Sequence, residues 1–208
     1  IARRAVSSLR VEYEDLPPIL TTEEALAPGA PLIHEDKDNN VPFTYEYAHG
    51  EVQTGERESD VVVEETYHLP YETHCCLGTC GIVASFDARG KLTLHSVTQV
   101  PFLYRRDMAA IVGVPAKDIR VIQVTIGGGF GSKLDIFPYE PIAVWLARKT
   151  GRPVKLVFDR REEFVASPTR QPTEIRIRAG AKKDGTFTFR DIDFVHDNGG
   201  YTSWGATT

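Results

Sequence analysis

The sequence predicts an α+β fold, a mixed β-sheet with packed helices. Three observations carry that prediction. Apolar and β-branched runs of period two recur from Asp60 onward. Two long helical patterns stand among them, each with a proline at its start. Strands and helices mix without strict β-α-β alternation. With 208 residues, 41% of them apolar and 25% charged, the chain is long enough for one ordinary domain or two small ones, and it buries a core without staples.

The elements follow in order. Ala2 to Leu9 reads as a short helix and Val11 to Tyr13 as a short strand. Thr21-Thr22-Glu23-Glu24 starts another helix, its carboxylates in the first turn where the dipole favours them. Pro28, Gly29, Pro31, Pro42, Gly50 and Gly55 break the text from Ala27 to Arg57, so a linker or extended arm is expected. Val61 to His68 is a β-branched strand. Gly81–Asp87 and Lys91–Val97 flank Asp87-Ala88-Arg89-Gly90 as a hairpin. Pro101 opens a helix ending near Val112. Ile119 to Ile126 alternates as a strand, and Pro138 to Thr150 is helical, closed by Gly151 and Pro153. Val154 to Phe158 is a short buried strand, followed by the helical turn Arg161-Glu162-Glu163-Phe164. Thr173–Ala181 and Thr186–His196 flank Lys183-Asp184-Gly185 as a long hairpin. No internal repeat is visible.

Composition excludes several classes of function. Lys plus Arg is 24 against 29 for Asp plus Glu, a net charge of −5, so no basic excess exists to hold a nucleic-acid backbone. No apolar run reaches the ~18–20 residues of a membrane span. The opening lacks a signal-peptide apolar core, and a cytoplasmic protein is expected. It begins at Ile1 and ends in DNGGYTSWGATT without a cap, so a piece of something longer is expected. Cys75, Cys76 and Cys80 are too clustered for a disulfide framework and have neither zinc nor iron–sulfur spacing; they read as buried thiols. His68, His74, His95 and His196 are scattered. Arg160 to Glu163 reads as a solvated, charged helix start. No Gly-x-Ser-x-Gly elbow supports serine hydrolysis.

The most informative segment is Thr125-Ile126-Gly127-Gly128-Gly129-Phe130-Gly131-Ser132-Lys133, after a strand and before a helical segment. Its glycines permit positive φ and close approach of a ligand to main-chain N–H groups, and a helix start would add to an anion site. Lys133 is misplaced for a Walker A loop, and Ser132 breaks a dinucleotide fingerprint. Spacing alone reads equally as a tight strand-to-helix turn. A second signal, Ser96-Val97-Thr98-Gln99-Val100-Pro101, puts a carboxamide at a strand mouth; alone it reads as a polar helix-capping turn.

Together, Thr98-Gln99 and Gly127 to Gly131, with 31 residues from Gln99 to Phe130, resemble the molybdenum hydroxylases, the xanthine dehydrogenase, aldehyde oxidase and carbon monoxide dehydrogenase family. VEYEDLPPI, EALAPGAPLIH, GVPAKDIRVI, ARKTGRPVKLVFDR and DNGGYTSWG stand in that family's order. The resemblance implies a molybdopterin-type molybdenum cofactor. Gln99 would hydrogen-bond an oxo ligand of the metal, Phe130 and Gly131 would bring a backbone N–H and an aromatic edge beside it, and Gly128 and Gly129 would permit that approach. It implies hydroxylation of an electron-poor carbon with water-derived oxygen. Electrons would pass to iron–sulfur clusters and FAD on partner domains or subunits, in a homo-oligomer without nucleic acid. Where xanthine-type members carry a substrate-binding Glu, this chain has Leu134, which implies an aromatic or less polar substrate. Asp135 reads as a helix cap. The family's catalytic Glu lies beyond the equivalent of Thr208, so no catalytic residue is expected here. Residues 1–26 would be the tail of a small preceding α/β domain, 27–58 a linker arm, and 59–208 part of the cofactor-binding domain.

Overall fold

The computed structural model describes residues 5–202 and 205. The elements are α1 (Thr22–Leu26), α2 (Val52–Arg57), β1 (Val61–Leu69), β2 (Gly81–Phe86), β3 (Leu92–Ser96), α3 (Pro101–Val112), β4 (Ile119–Gln123), α4 (Tyr139–Thr150), β5 (Val154–Val157), α5 (Arg160–Ala166), β6 (Thr173–Ala181) and β7 (Phe187–His196). They fall into two compact units, residues 68–173 and residues 1–67 with 174–208.

The unit of residues 68–173 holds a four-stranded sheet in the order β4-β3-β2-β5. β3 and β4 are parallel, and β2 runs antiparallel to β3 and β5, so the sheet is mixed as expected. Period two puts Ile82, Ala84, Leu92 and Leu94 on one buried face. The helices answer with buried residues at helical spacing: Tyr104, Met108 and Val112 on α3, and Ala143, Val144 and Ala147 on α4. These two layers make one core. Gly113 and Gly151, both at φ +64°, end the two helices in the left-handed conformation, and Pro101 occupies the first turn of α3.

The other unit carries the sheet order β1-β6-β7. α1 starts where a helix start is expected, and it does so with a capping box, in which Thr21 Oγ1 accepts from Glu24 N at 3.1 Å. The β6–β7 hairpin closes as expected, with Lys182 N donating to Thr186 O at 2.9 Å. α2 lies within the stretch expected to be irregular. Its Gly55 looks like a breaker in sequence, yet a Cβ there would sit 2.5 Å from Thr188 O and 2.7 Å from Phe189 Cβ. The glycine is there for close packing on β7.

Other differences are local. Of the expected first helix, Ala5 and Val6 are helical and Ser7-Ser8 form a turn, while Ala2 to Arg4 lie outside the described residues. Val11 to Tyr13 is not a strand, since no described strand pairs with it. β4 stops at Gln123, and Val157 on the edge strand β5 is exposed rather than buried. Ser203 and Trp204 of the C-terminal motif lie outside the described residues.

Candidate cofactor-binding site

Strand register decides which loops meet. Ser96 at the end of β3 aligns with Gln123 at the end of the parallel β4 and with Ile82 near the start of β2. The segments after β3 and β4 and the segment before β2 therefore emerge at one end of the sheet. Hydrogen bonds join them: Val124 N to Ser96 O at 3.1 Å, Gln99 N to Lys133 O at 2.9 Å, and Gly78 N to Gly127 O at 2.9 Å.

The structure brings Gln99 and the glycine loop into direct contact. Gln99 Oε1 accepts from Gly131 N and Lys133 N, each at 3.2 Å. Two main-chain donors identify that atom as the oxygen, which fixes the amide nitrogen as the donor end. A Cβ on Gly129 would fall 2.5 Å from Gln99 Cδ and Oε1, so the absent side chain is the space the carboxamide fills. Gly127, at φ +67°, lies so close to Gly78 that a Cβ would be 2.7 Å from its Cα and N. Gly128 and Gly131 have φ of +97° and +98°. Phe130 also takes a positive φ, 51°, a strained conformation for a bulky residue, and its side chain is 75% exposed. Gln99 does not cap α3, whose N-cap is Val100 with no side-chain cap.

Beneath the loop lies a buried polar layer. Lys133 is 3% exposed, and its Nζ donates to Gly78 O at 2.6 Å, Gly128 O at 2.9 Å and Ile126 O at 3.0 Å. At the edge of this layer Arg160, itself exposed, donates to Cys76 O at 2.8 Å and Leu77 O at 2.7 Å. Glu163 accepts from Cys80 N at 2.6 Å. Burial, then the neighbouring Glu163, pushes the Cys80 thiol up to about 12. Glu140 accepts from Tyr104 Oη at 2.8 Å, Ser96 Oγ at 3.3 Å and Phe137 N at 2.9 Å. Its burial raises it to about 7 despite those three donors. Burial, with Glu140 alongside, also raises Tyr104 and Tyr139.

Several expectations change. The loop does not run directly into a helix; α4 begins at Tyr139, so no helix start contributes to the loop. Asp135 is not a cap, since Pro138 holds that position without a side-chain bond and Glu140 Oε2 takes Phe137 N instead. Cys75 is exposed, with φ 47°, while Cys76 and Cys80 are buried. Glu163 is 5% exposed and works as an acceptor inside the molecule rather than as a solvated charge. Leu134 follows Lys133 and is half-buried. Among the described residues no cluster of His, Cys, Asp and Glu has the arrangement of a metal site.

Sequence reasoning missed Lys133, Glu140, Gly78 and Arg160. A signal existed for Glu140, which stands at a core position of the apolar stripe shared by Ala143, Val144 and Ala147. None existed for Gly78, whose role depends on a partner far away in sequence.

The unit is a two-layer α+β domain that clamps a carboxamide against a glycine loop at its strand ends. Comparison gives the family. The chain belongs to the molybdopterin cofactor-binding domain family, whose sequence model matches residues 33–208. It is 36% identical over 205 residues to a probable xanthine dehydrogenase subunit of Bacillus subtilis (strain 168), covering 99% of this chain and 27% of that protein. It is 34% identical to the nicotinate dehydrogenase large molybdopterin subunit of Eubacterium barkeri, covering 99% of this chain and 48% of that one. Among solved structures, the aldehyde oxidoreductase of Desulfovibrio gigas superposes with a TM-score of 0.89 at 26% identity, over 99% of this chain and 23% of that one. The chain thus spans about a quarter to a half of the length of these curated relatives.

Proposed function

We propose that this chain supplies one wall of the cofactor site in a molybdenum hydroxylase, an oxidoreductase that hydroxylates an aldehyde, an aromatic heterocycle or a related small molecule with oxygen from water. The observation that carries this reading is the clamp of Gln99 onto Gly129, with Gly131 N and Lys133 N donating to its oxygen. Family membership over residues 33–208 supports it.

The residues present fit such a group. An oxygen-rich, anionic ligand is held by N–H donors and by backbone that lets it come close. Gln99 keeps its amide nitrogen as the donor toward an oxygen ligand of the metal. Gly129 makes room for the Gln99 carboxamide and Gly128 for the Phe130 ring, which a Cβ there would meet at 2.9 Å, so the glycines let both side chains lie against the main chain, and the Phe130 ring stays exposed. Gly131 N, expected to face the metal, donates to Gln99 instead, so this glycine acts by orienting the carboxamide. Leu134 would give the substrate pocket an apolar wall, which suits an aromatic or less polar substrate. The molybdopterin group, when bound, supplies the redox chemistry; the protein's share is to orient it.

We further assign residues 1–26 to the tail of a preceding domain, 27–58 to an arm and 59–208 to part of the cofactor-binding domain. Iron–sulfur and FAD-bearing domains or subunits as electron acceptors, a homo-oligomer and a cytoplasmic location belong to the same reading. Among the described residues, no helix is long and apolar enough to cross a membrane. The chain alone is expected to be inactive, since it covers only 27% of a relative such as the xanthine dehydrogenase subunit. The test is turnover of aldehydes and N-heterocycles by the full-length protein in ¹⁸O-labelled water. Labelled hydroxyl in the product supports the reading. A purified protein without pterin or molybdenum, and without turnover, favours a non-catalytic binding module whose glycine loop is structural.

A further inference from the structure

Lys133 holds more of this site together than any residue the sequence points to. Its side chain is buried and its three ammonium protons are matched by three carbonyl oxygens, Gly78 O, Ile126 O and Gly128 O, at 2.6–3.0 Å. Its main chain grips Gln99 from both sides: Lys133 O accepts from Gln99 N at 2.9 Å, and Lys133 N donates to Gln99 Oε1 at 3.2 Å. One residue therefore ties three chain segments, the one before β2, the turn after β3 and the glycine loop after β4.

Other bonds hold these segments, among them Gly78 N to Gly127 O, Ser132 Oγ to Gly129 O and Arg160 to Cys76 O and Leu77 O, but each joins only two points, whereas the lysine joins all three segments. The loop from Gly127 to Gly131 has no side chain but Phe130, and that ring is exposed. An apolar anchor is unavailable to a stretch of glycine, whose conformational freedom also makes it costly to order. An ammonium offers three donors around one nitrogen and so gathers carbonyls from two directions. A guanidinium, a planar fork, does not reproduce that convergence.

We propose that Lys133 is a positioning residue that preorganises this wall. By gathering the carbonyls of 78, 126 and 128 and gripping Gln99, it holds the loop and the carboxamide in one arrangement before any ligand arrives. The inference rests on the cofactor-binding reading given above and names what keeps that site in shape.

The test uses the full-length protein and needs no variant for its first part. In the wild-type apo protein, the amides of Gly78, Gln99, Gly131 and Lys133 should exchange with solvent at least about a hundredfold more slowly than an open loop would. In Lys133→Met and Lys133→Arg, exchange in residues 124–133 should rise at least about tenfold while the β2–β3 hairpin keeps its protection. Molybdenum per chain should fall severalfold in both variants. After partial reduction with dithionite to molybdenum(V), the molybdenum that remains should give an altered electron paramagnetic resonance signal, which a merely weakened fold would not produce. Unprotected loop amides in a wild-type protein that carries molybdenum overturn the lysine's role alone. So does a folded Lys133→Met with wild-type loop protection and metal signal. A wild-type protein with a protected loop and no molybdenum or pterin overturns the cofactor reading and, with it, the purpose assigned to the lysine. If Lys133→Met does not fold, the wild-type exchange rates and Lys133→Arg decide the matter.

Discussion

The side-chain oxygen of Gln99 accepts the main-chain N–H of Gly131 at 3.2 Å, joining residues 32 positions apart. The contact exists because β3 and β4 run parallel with Ser96 beside Gln123, so both strands release their chains at one end of the sheet. From that placement come the clamp on Gly129 and the predictions below.

Three glycines should rank in order when replaced by alanine. Gly90 has open space around it and only its φ of +77° to oppose a side chain, at about 1 kcal/mol. Gly129 meets the Gln99 carboxamide at 2.5 Å; the side chain can move, but it gives up two hydrogen bonds, about 2–3 kcal/mol. Gly127 meets the backbone of Gly78 at 2.7 Å and has φ +67°, so it should be the most destabilising. Urea unfolding of the three variants checks the order, and a Gly129→Ala as mild as Gly90→Ala contradicts the clamp.

Glu140 predicts a pH dependence of stability. Burial raises it from 4.5 to about 7, so the folded state binds more protons than the unfolded state between those values. Its contribution to stability therefore falls as pH rises through that window and levels off above it. Glu140→Gln removes this dependence. Stability of the wild type relative to Glu140→Gln should decline by about 1–3 kcal/mol from pH 4.5 to pH 8. Denaturation curves at four pH values measure it, and a flat difference refutes the assignment.

The thiols should divide by reactivity. Cys75 is exposed, Cys76 is buried, and Cys80 is buried with its thiol raised to about 12 beside Glu163. Iodoacetamide at pH 8 should label Cys75 alone in the native protein and all three after unfolding, read by mass spectrometry of peptides. Native labelling of Cys80 would show that the Glu163 side is open.

Much of this is legible in sequence where the signal is local. Pro101 and Gly113 bracket α3, Thr21 and Glu24 form the capping box, and alternation on β2 and β3 marks the core face. Gln99 and the glycines can be named together through resemblance, and the structure brings them into contact. What stays hidden depends on distant partners. Gly55 looks like a breaker because Thr188, which makes it a packing site, lies far along the chain. Glu163 looks solvated because its partner, Cys80 N, belongs to another segment. Lys133 reads in sequence only as a misplaced phosphate lysine, and its neighbours are carbonyls that period and spacing do not encode.

The most direct test of the central claim is Gln99→Glu in the full-length protein. A carboxylate still accepts from Gly131 N and Lys133 N, so the loop and the melting temperature should be preserved. The amide donor is gone, and a negative charge faces the place proposed for an anionic cofactor. The account predicts near-stoichiometric molybdenum in the wild type and severalfold less in Gln99→Glu, at an unchanged melting temperature. Equal molybdenum in both proteins would contradict it.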